Sequence, residues 1–258
     1  MSFTTWTPPA VASERKPYAL KLWRAVEAQH VVSTMPLVDS LEEQAVLEAV
    51  LDAGKPAVPA DARHLHYLIF TPFRYPPSPW GSRFRGGQDP GVFYGAADIR
   101  TACAELGYWR WRFLLDSPAL PRIDARAQTL FQVSVKTDGV ALDAAPFHDD
   151  PRWIDPDDHA PCQAFGRLAR EAGLGLIRYT SVRDPEHGPC AAVLTPRAFD
   201  QPNPLATTTW MLTVRPDRVI WQRDDLQQRD SFEFEATLWQ RTSETPDIDL
   251  NPSPPYVL

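Results

Sequence analysis

Three arginines, Arg74, Arg83 and Arg85, stand among prolines and glycines in the run FTPFRYPPSPWGSRFRGGQDPGVFYGAADIRTACAE. Glycine lets a backbone approach a ligand closely, and the guanidinium fork matches the oxygens of a phosphate. Arginines in an exposed loop can equally be solvated and inert. Glu105 closes the run on a helix whose apolar stripe is Ile99, Ala102, Cys103, Leu106 and Phe113. At about 100° per residue it falls roughly 120° from the centre of that stripe, at the edge of the buried face. A carboxylate there is half-desolvated and can be aimed into a cleft, or it can pair with a neighbouring arginine. Ser181 sits in no G-x-S-x-G turn and has no base obviously assigned to it, which disfavours acyl transfer.

Other titratable groups carry less. His148, Asp149, Asp150, Asp155, Asp157, Asp158 and His159 crowd one segment, but their irregular spacing and prolines read as a solvated acidic loop, and no metal is expected. His64 and His66 alternate in HLHYLIF, expected as a strand, and would share one face as satisfied or solvated side chains. Cys103, Cys162 and Cys190 are odd in number and lack C-x-x-C spacing. Buried thiols in a reducing compartment are the expectation.

The positioning elements follow from periodicity. Residues 40–54 read as a helix with a Ser40/Glu43 capping box and a stop at Gly54 and Pro56. The preceding YALKLWRAVEAQHVVST fits helix or strand alike. GVFYG and TLFQVSVKT read as strands, Asp98 caps the helix of Glu105, and CQAFGRLAREAG forms a helix ending at Gly173. GLIRYTS and CAAVLTP read as buried strands, and TTTWMLTV, RVIWQ and SFEFEATLWQ alternate as an antiparallel meander over 205–240. Helices and strands mix without a strict βαβ rhythm, which gives an α+β class with mixed or antiparallel sheets and flanking helices.

The chain has 258 residues, 43% hydrophobic and 11% aromatic, with a net charge of -7. That is enough apolar material for a sizeable core, and too acidic for general attraction to nucleic acid or anionic membranes. Its apolar runs are too short for a membrane span, and its start does not read as a secretory signal, so a cytoplasmic location is expected.

The ordered pieces G-S-R-F-x-x-x-x-D-P-G-V-F-Y-G, T-A-C-A-E, G-L-I-R-Y-T-S-V-R-D and C-A-A-V-L-T-P-R-A-F resemble the RES-domain family over roughly residues 65–200. The resemblance implies an ADP-ribosyltransferase-like fold and a toxin that degrades NAD by hydrolysis or phosphorolysis. It also implies neutralisation by a helix-turn-helix antitoxin. NAD is then a substrate, inorganic phosphate a candidate co-substrate, and no resident cofactor is implied. By the same resemblance Arg83, Tyr94, Glu105 and Ser181 are the catalytic set, with Arg74, Tyr75 and Arg85 binding substrate. Arg24, in L-W-R-A-V, competes with Arg74 as the upstream arginine. A catalytic domain over 63–258 is expected, after a helical extension over 1–62, and homo-oligomerisation is left open. Two other readings stand beside this one, an ADP-ribosyltransferase acting on a macromolecule and a non-catalytic partner-binding module.

Overall fold

The computed structural model describes residues 5–28 and 38–240, with only the backbone at positions 48, 52 and 53. Eight strands of the described residues form one mixed sheet. They are β1 (Lys16–Glu27), β2 (Phe93–Ala96), β3 (Ile123–Ala141), β4 (Leu176–Thr180), β5 (Pro189–Val193), β6 (Ala206–Val214), β7 (Arg218–Arg223) and β8 (Ser231–Glu235). The order is β1-β2-β5-β4-β3-β6-β7-β8, and β3 also pairs with β1, so the first five strands return upon themselves. Only the β3–β4 contact is parallel among the described pairings. The expected meander is present as β6, β7 and β8.

Among the described residues five α-helices flank the sheet: α1 (Pro8–Ser13), α2 (Leu41–Ala53), α3 (Tyr67–Arg74), α4 (Ile99–Leu115) and α5 (Ala160–Glu171). The helix of Glu105 starts as expected, Asp98 accepting from Thr101 N at 2.8 Å. Its buried face is broader than the expected stripe. Thr101, Ala102, Cys103 and Ala104 are all buried, with Gly107, Tyr108, Trp111 and Leu114, while Ile99, Leu106 and Phe113 are half-exposed. Small side chains explain the difference. A Cβ on Gly107 would lie 3.1 Å from Val219 Cγ1, so the meander packs directly against the helix backbone. All three cysteines are buried free thiols.

Two expectations are corrected. HLHYLIF does not form a strand: His66 caps α3, its Nδ1 accepting from Leu68 N at 3.3 Å. Leu65, Ile69 and Phe73 are buried at a spacing of four, a helical period that prevails over the two-residue alternation. The helical extension over 1–62 is also only partly helical. Its described residues 16–27 form β1, which pairs with β3 along its whole length, from Lys16 opposite Gly139 to Glu27 opposite Gln128. Tyr18, Leu20 and Leu22 alternate inward with Ala19 and Lys21, the pattern of a half-buried strand. The rest of the undecided segment, 29–34, lies outside the described residues.

Half of the α2 capping box forms as expected, with Glu43 N donating to Ser40 Oγ at 3.1 Å, while Glu43 Oε2 accepts from Asp39 N, one residue before the cap, at 2.9 Å. Its apolar side chains face solvent, Leu41 being 74% exposed and Val46 and Val50 64% each.

Candidate active site

Strand register brings Glu105 and Ser181 together. In β5, Cys190 is flanked by Ala96 of β2 and by Tyr179 of β4. The segments leaving β2 and β4 therefore emerge side by side, one into α4 and the other into the loop Ser181–Gly188. Ser181 Oγ donates to Glu105 Oε1 at 2.6 Å and accepts from Arg183 N at 3.2 Å and Asp184 N at 3.0 Å. Its one proton is thus directed at the carboxylate. Ser181 is fully buried, whereas Glu105 is half-buried at the edge of the α4 face, where the helical wheel puts it.

Arg83 is buried in a tight turn in which Ser82 N donates to Arg85 O at 2.6 Å and Arg85 N to Ser82 O at 3.1 Å. The turn needs Gly81, at φ 71°, because a Cβ there would lie 2.0 Å from the Arg85 carbonyl oxygen. Tyr94 holds the turn from below. Its hydroxyl accepts from Phe84 N at 2.9 Å and bonds Ser82 Oγ at 2.8 Å, gripping the residues on both sides of Arg83. Burial pushes the Tyr94 phenol above its ordinary range against the pull of those bonds and of Arg83 and Arg85. α5 clamps the outer side, with Gln163 Nε2 donating to the Trp80 and Ser82 carbonyls at 3.1 Å each. Arg83 Nη1 donates to the carbonyls of Asp155 at 3.0 Å and Trp153 at 3.2 Å. Its Nε and Nη2 hydrogens have no hydrogen-bond partner among the described residues.

Tyr179 joins the two halves. Its ring lies 4.9 Å from Phe84, centroid to centroid, and burial raises its phenol, with Cys190, Glu105 and Tyr94 adding to that rise and Arg83 opposing it. Arg183 lies on the Tyr108 ring at 3.7 Å and faces Glu105 and Arg83. Burial lowers its guanidinium pKa. His159, at the head of α5, is lowered to about 4 by burial and by Arg83 and Arg183, and its Nε2 is buried without a partner among the described residues.

Of the two candidate upstream arginines, Arg24 is the one attached to this cluster. Its Nη1 donates to the Tyr94 carbonyl at 2.9 Å and its guanidinium lies 5.1 Å from the centre of the Phe93 ring. Burial lowers it to about 10, and its Nε is buried without a partner among the described residues, although part of the side chain reaches solvent. Arg74 instead donates to the Pro56 carbonyl at 2.5 Å and lies over the Tyr75 ring at 5.8 Å. Arg85 braces the loop, donating to the Tyr75 carbonyl at 2.8 Å and the Asp89 carbonyl at 3.2 Å. Arg83, Tyr94, Glu105 and Ser181 are brought together. Arg74 ends α3, with Tyr75 as its C-cap, and Arg85 lies in the loop beside them. Sequence reasoning passed over Tyr179, Arg183 and Asp184, although all three stand in GLIRYTSVRD, where alternation with the buried Ile177 places Tyr179 inward.

A separate depression is lined by Lys16, Tyr18, Phe147 and Arg178. One of its two cations, Arg178, is already paired, its Nε lying 2.9 Å from Asp143 Oδ1. Among the described residues no group of three or more His, Cys, Asp or Glu could hold a metal ion, and no helix is long and apolar enough to cross a membrane.

The RES domain profile matches residues 58–215. Among solved structures, a chain of the M. tuberculosis MbcT-MbcA toxin-antitoxin complex aligns at 12% identity and a TM-score of 0.48, covering 81% of this chain and 92% of that one. No curated protein matches the sequence.

Proposed function

The chain belongs to the RES-domain family, and from that premise we propose that it consumes NAD, breaking the nicotinamide–ribose bond and passing the ADP-ribosyl group to water or phosphate. The observation that carries this reading is the 2.6 Å bond from Ser181 Oγ to Glu105 Oε1 beside the buried Arg83. Breaking that glycosidic bond leaves positive charge on the ribose while nicotinamide departs as a neutral base. A preorganised carboxylate stabilises such charge as it develops and can orient the attacking oxygen. Glu105 takes that role. Ser181 orients it and is no nucleophile, since the lone pairs of its Oγ are taken by the Arg183 and Asp184 N–H donors. Arg83, with free N–H groups, and Arg24, held on the Tyr94 carbonyl with part of its side chain open to solvent, are the cations suited to the pyrophosphate or to an incoming phosphate. This ranks Arg24 ahead of Arg74.

The reading extends to physiology. An enzyme that destroys a central cofactor requires restraint in its host, and a helix-turn-helix antitoxin is the partner we propose for it, making the chain the toxin of a pair. The test is incubation of the purified full chain with NAD, with and without inorganic phosphate. Free nicotinamide accompanied by ADP-ribose, or by its 1″-phosphate, supports the proposal and identifies the acceptor. Label transferred to protein or nucleic acid marks a transferase instead, and no turnover under either condition marks a binding module.

A further inference from the structure

Asp184 is 2% exposed, carries a carboxylate, and lies three residues beyond Ser181 in the same loop. Its backbone N–H donates to Ser181 Oγ at 3.0 Å. Its side chain reaches the first turn of α4, where Arg100 pairs with Oδ1 and Thr101 Oγ1 donates to Oδ2 at 2.8 Å. Glu186 N closes the loop on the same carboxylate at 3.1 Å. The Thr101 hydroxyl also lies 2.9 Å from Asp98 Oδ2, so its single proton serves the helix cap and Asp184 in turn.

Thr101 and Glu105 are four apart on α4 and share a face one turn from each other. The loop meets that face at two levels, Asp184 on Thr101 and Ser181 on Glu105. We propose that Asp184 is a positioning residue, a latch to Thr101 and Arg100 that sets the depth of the loop and so the Ser181–Glu105 bond. The proposal rests on the reading of Glu105 as the charge-stabilising carboxylate.

The packing leaves the latch little slack. A Cβ on Gly188 would lie 2.0 Å from Thr101 Oγ1 and 3.0 Å from Asp184 Oδ2. His187, at φ 55°, takes a left-handed conformation that a non-glycine residue rarely adopts, and its N–H donates to the Asp184 carbonyl at 2.8 Å. Strain of that kind persists where the surrounding contacts over-determine it. Ser181 N donates to Gly188 O at 2.9 Å, which ties the two ends of the loop together.

A buried ion pair that only stabilised the fold would predict something different. The experiment is a double-mutant cycle on NAD turnover with Asp184→Asn, Ser181→Ala and both together, and with Thr101→Val as a gentler variant should Asp184→Asn fold poorly. Acting through Ser181, Asp184→Asn lowers kcat about tenfold or more with KM within about twofold, and costs nothing further in the Ser181→Ala background. Thr101→Val moves kcat in the same direction. Wild-type kcat in Asp184→Asn, or a loss that multiplies with that of Ser181→Ala, overturns the latch. A wild-type chain that never releases nicotinamide defeats the functional reading and not the latch, which a crystal structure of Asp184→Asn tests by itself. A Ser181 Oγ–Glu105 Oε1 separation beyond hydrogen-bond range upholds it, and a retained bond at the wild-type distance overturns it.

Discussion

Tyr94→Phe separates a tyrosine that touches substrate from one that shapes the arginine turn. The phenol oxygen is the acceptor for Phe84 N at 2.9 Å and the partner of Ser82 Oγ at 2.8 Å. Phe84 is fully buried, so its N–H is left without a partner when the hydroxyl goes. An unsatisfied buried donor costs about 1–3 kcal/mol, and the ordinary bond to Ser82 adds about 0.5–1.5 kcal/mol. The variant is expected to be less stable by about 1.5–4.5 kcal/mol, which for a chain of this size lowers the unfolding temperature by roughly 3–18 °C. Arg83 lies between the two residues released, and a displacement of about 1 Å in a positioning group can cost about a hundredfold in rate.

Stability and turnover therefore fall together. Ser82→Ala removes one bond and leaves Phe84 N satisfied, so it reproduces only the smaller part, about 0.5–1.5 kcal/mol. Thermal unfolding and nicotinamide release are measured on both variants. A Tyr94→Phe protein that unfolds at the wild-type temperature yet loses turnover refutes the stapling role and returns the hydroxyl to the substrate. Burial holds the Tyr94 phenol protonated well above neutrality, so the staple itself introduces no pH dependence near pH 7.

Three further outcomes are expected. Glu105→Gln keeps shape but removes charge, and nicotinamide release falls at least about a hundredfold, about 2.7 kcal/mol, with unfolding temperature unchanged; near-wild-type release defeats the role. Arg24→Ala lowers both NAD turnover and unfolding temperature, because the Tyr94 carbonyl loses its donor, while Arg74→Ala leaves turnover within about twofold, its contact being an exposed one. The opposite pattern in kinetics means that Arg74 is the substrate arginine after all. His159, held at about 4 against 6.5 unfolded, stays neutral in the fold while the unfolded chain takes up its proton. The sign follows from a depressed histidine: its contribution is level above about pH 6.5 and stability is lost as pH falls from there toward 4. His159→Gln flattens that part of the unfolding-temperature profile, and an unchanged slope counts against the assignment.

Legibility from sequence followed the strength of local signals. The helix of Glu105 was readable because Asp98 caps it through a short-range bond and because its wheel depends on residues within one element. Arg83, Tyr94, Glu105 and Ser181 came from the family resemblance, and their convergence depends on pairings of β2, β4 and β5 that no local pattern encodes. HLHYLIF was misread because two periods coexist in it, and burial of Leu65, Ile69 and Phe73 decides between them only in three dimensions. The Ser40 half of the α2 capping box was legible from groups that meet within four residues, but the solvent-facing apolar side of the helix was not, since exposure depends on the rest of the fold. The choice between Arg24 and Arg74 could not be made from one chain. It turns on β1 crossing β2 at Trp23 and Ala96, a contact between residues far apart in sequence.

That dependence on pairing also says where the site is vulnerable. Side chains alternate along β4, with Ile177 and Tyr179 on one face and Arg178 on the other. A slip of one residue against β5 would carry Tyr179 away from Phe84 and offer Thr180 or Val182 to Glu105 in place of Ser181. Short strands resist such slippage poorly unless their turn specifies the register. The loop Ser181–Gly188 does so through bonds that have no equivalent one residue along: Ser181 N to Gly188 O, the two backbone donors on Ser181 Oγ, and Asp184 on Thr101. The loop that presents the serine therefore also fixes the strands that aim it, and local damage there is expected to reach activity before it reaches the fold.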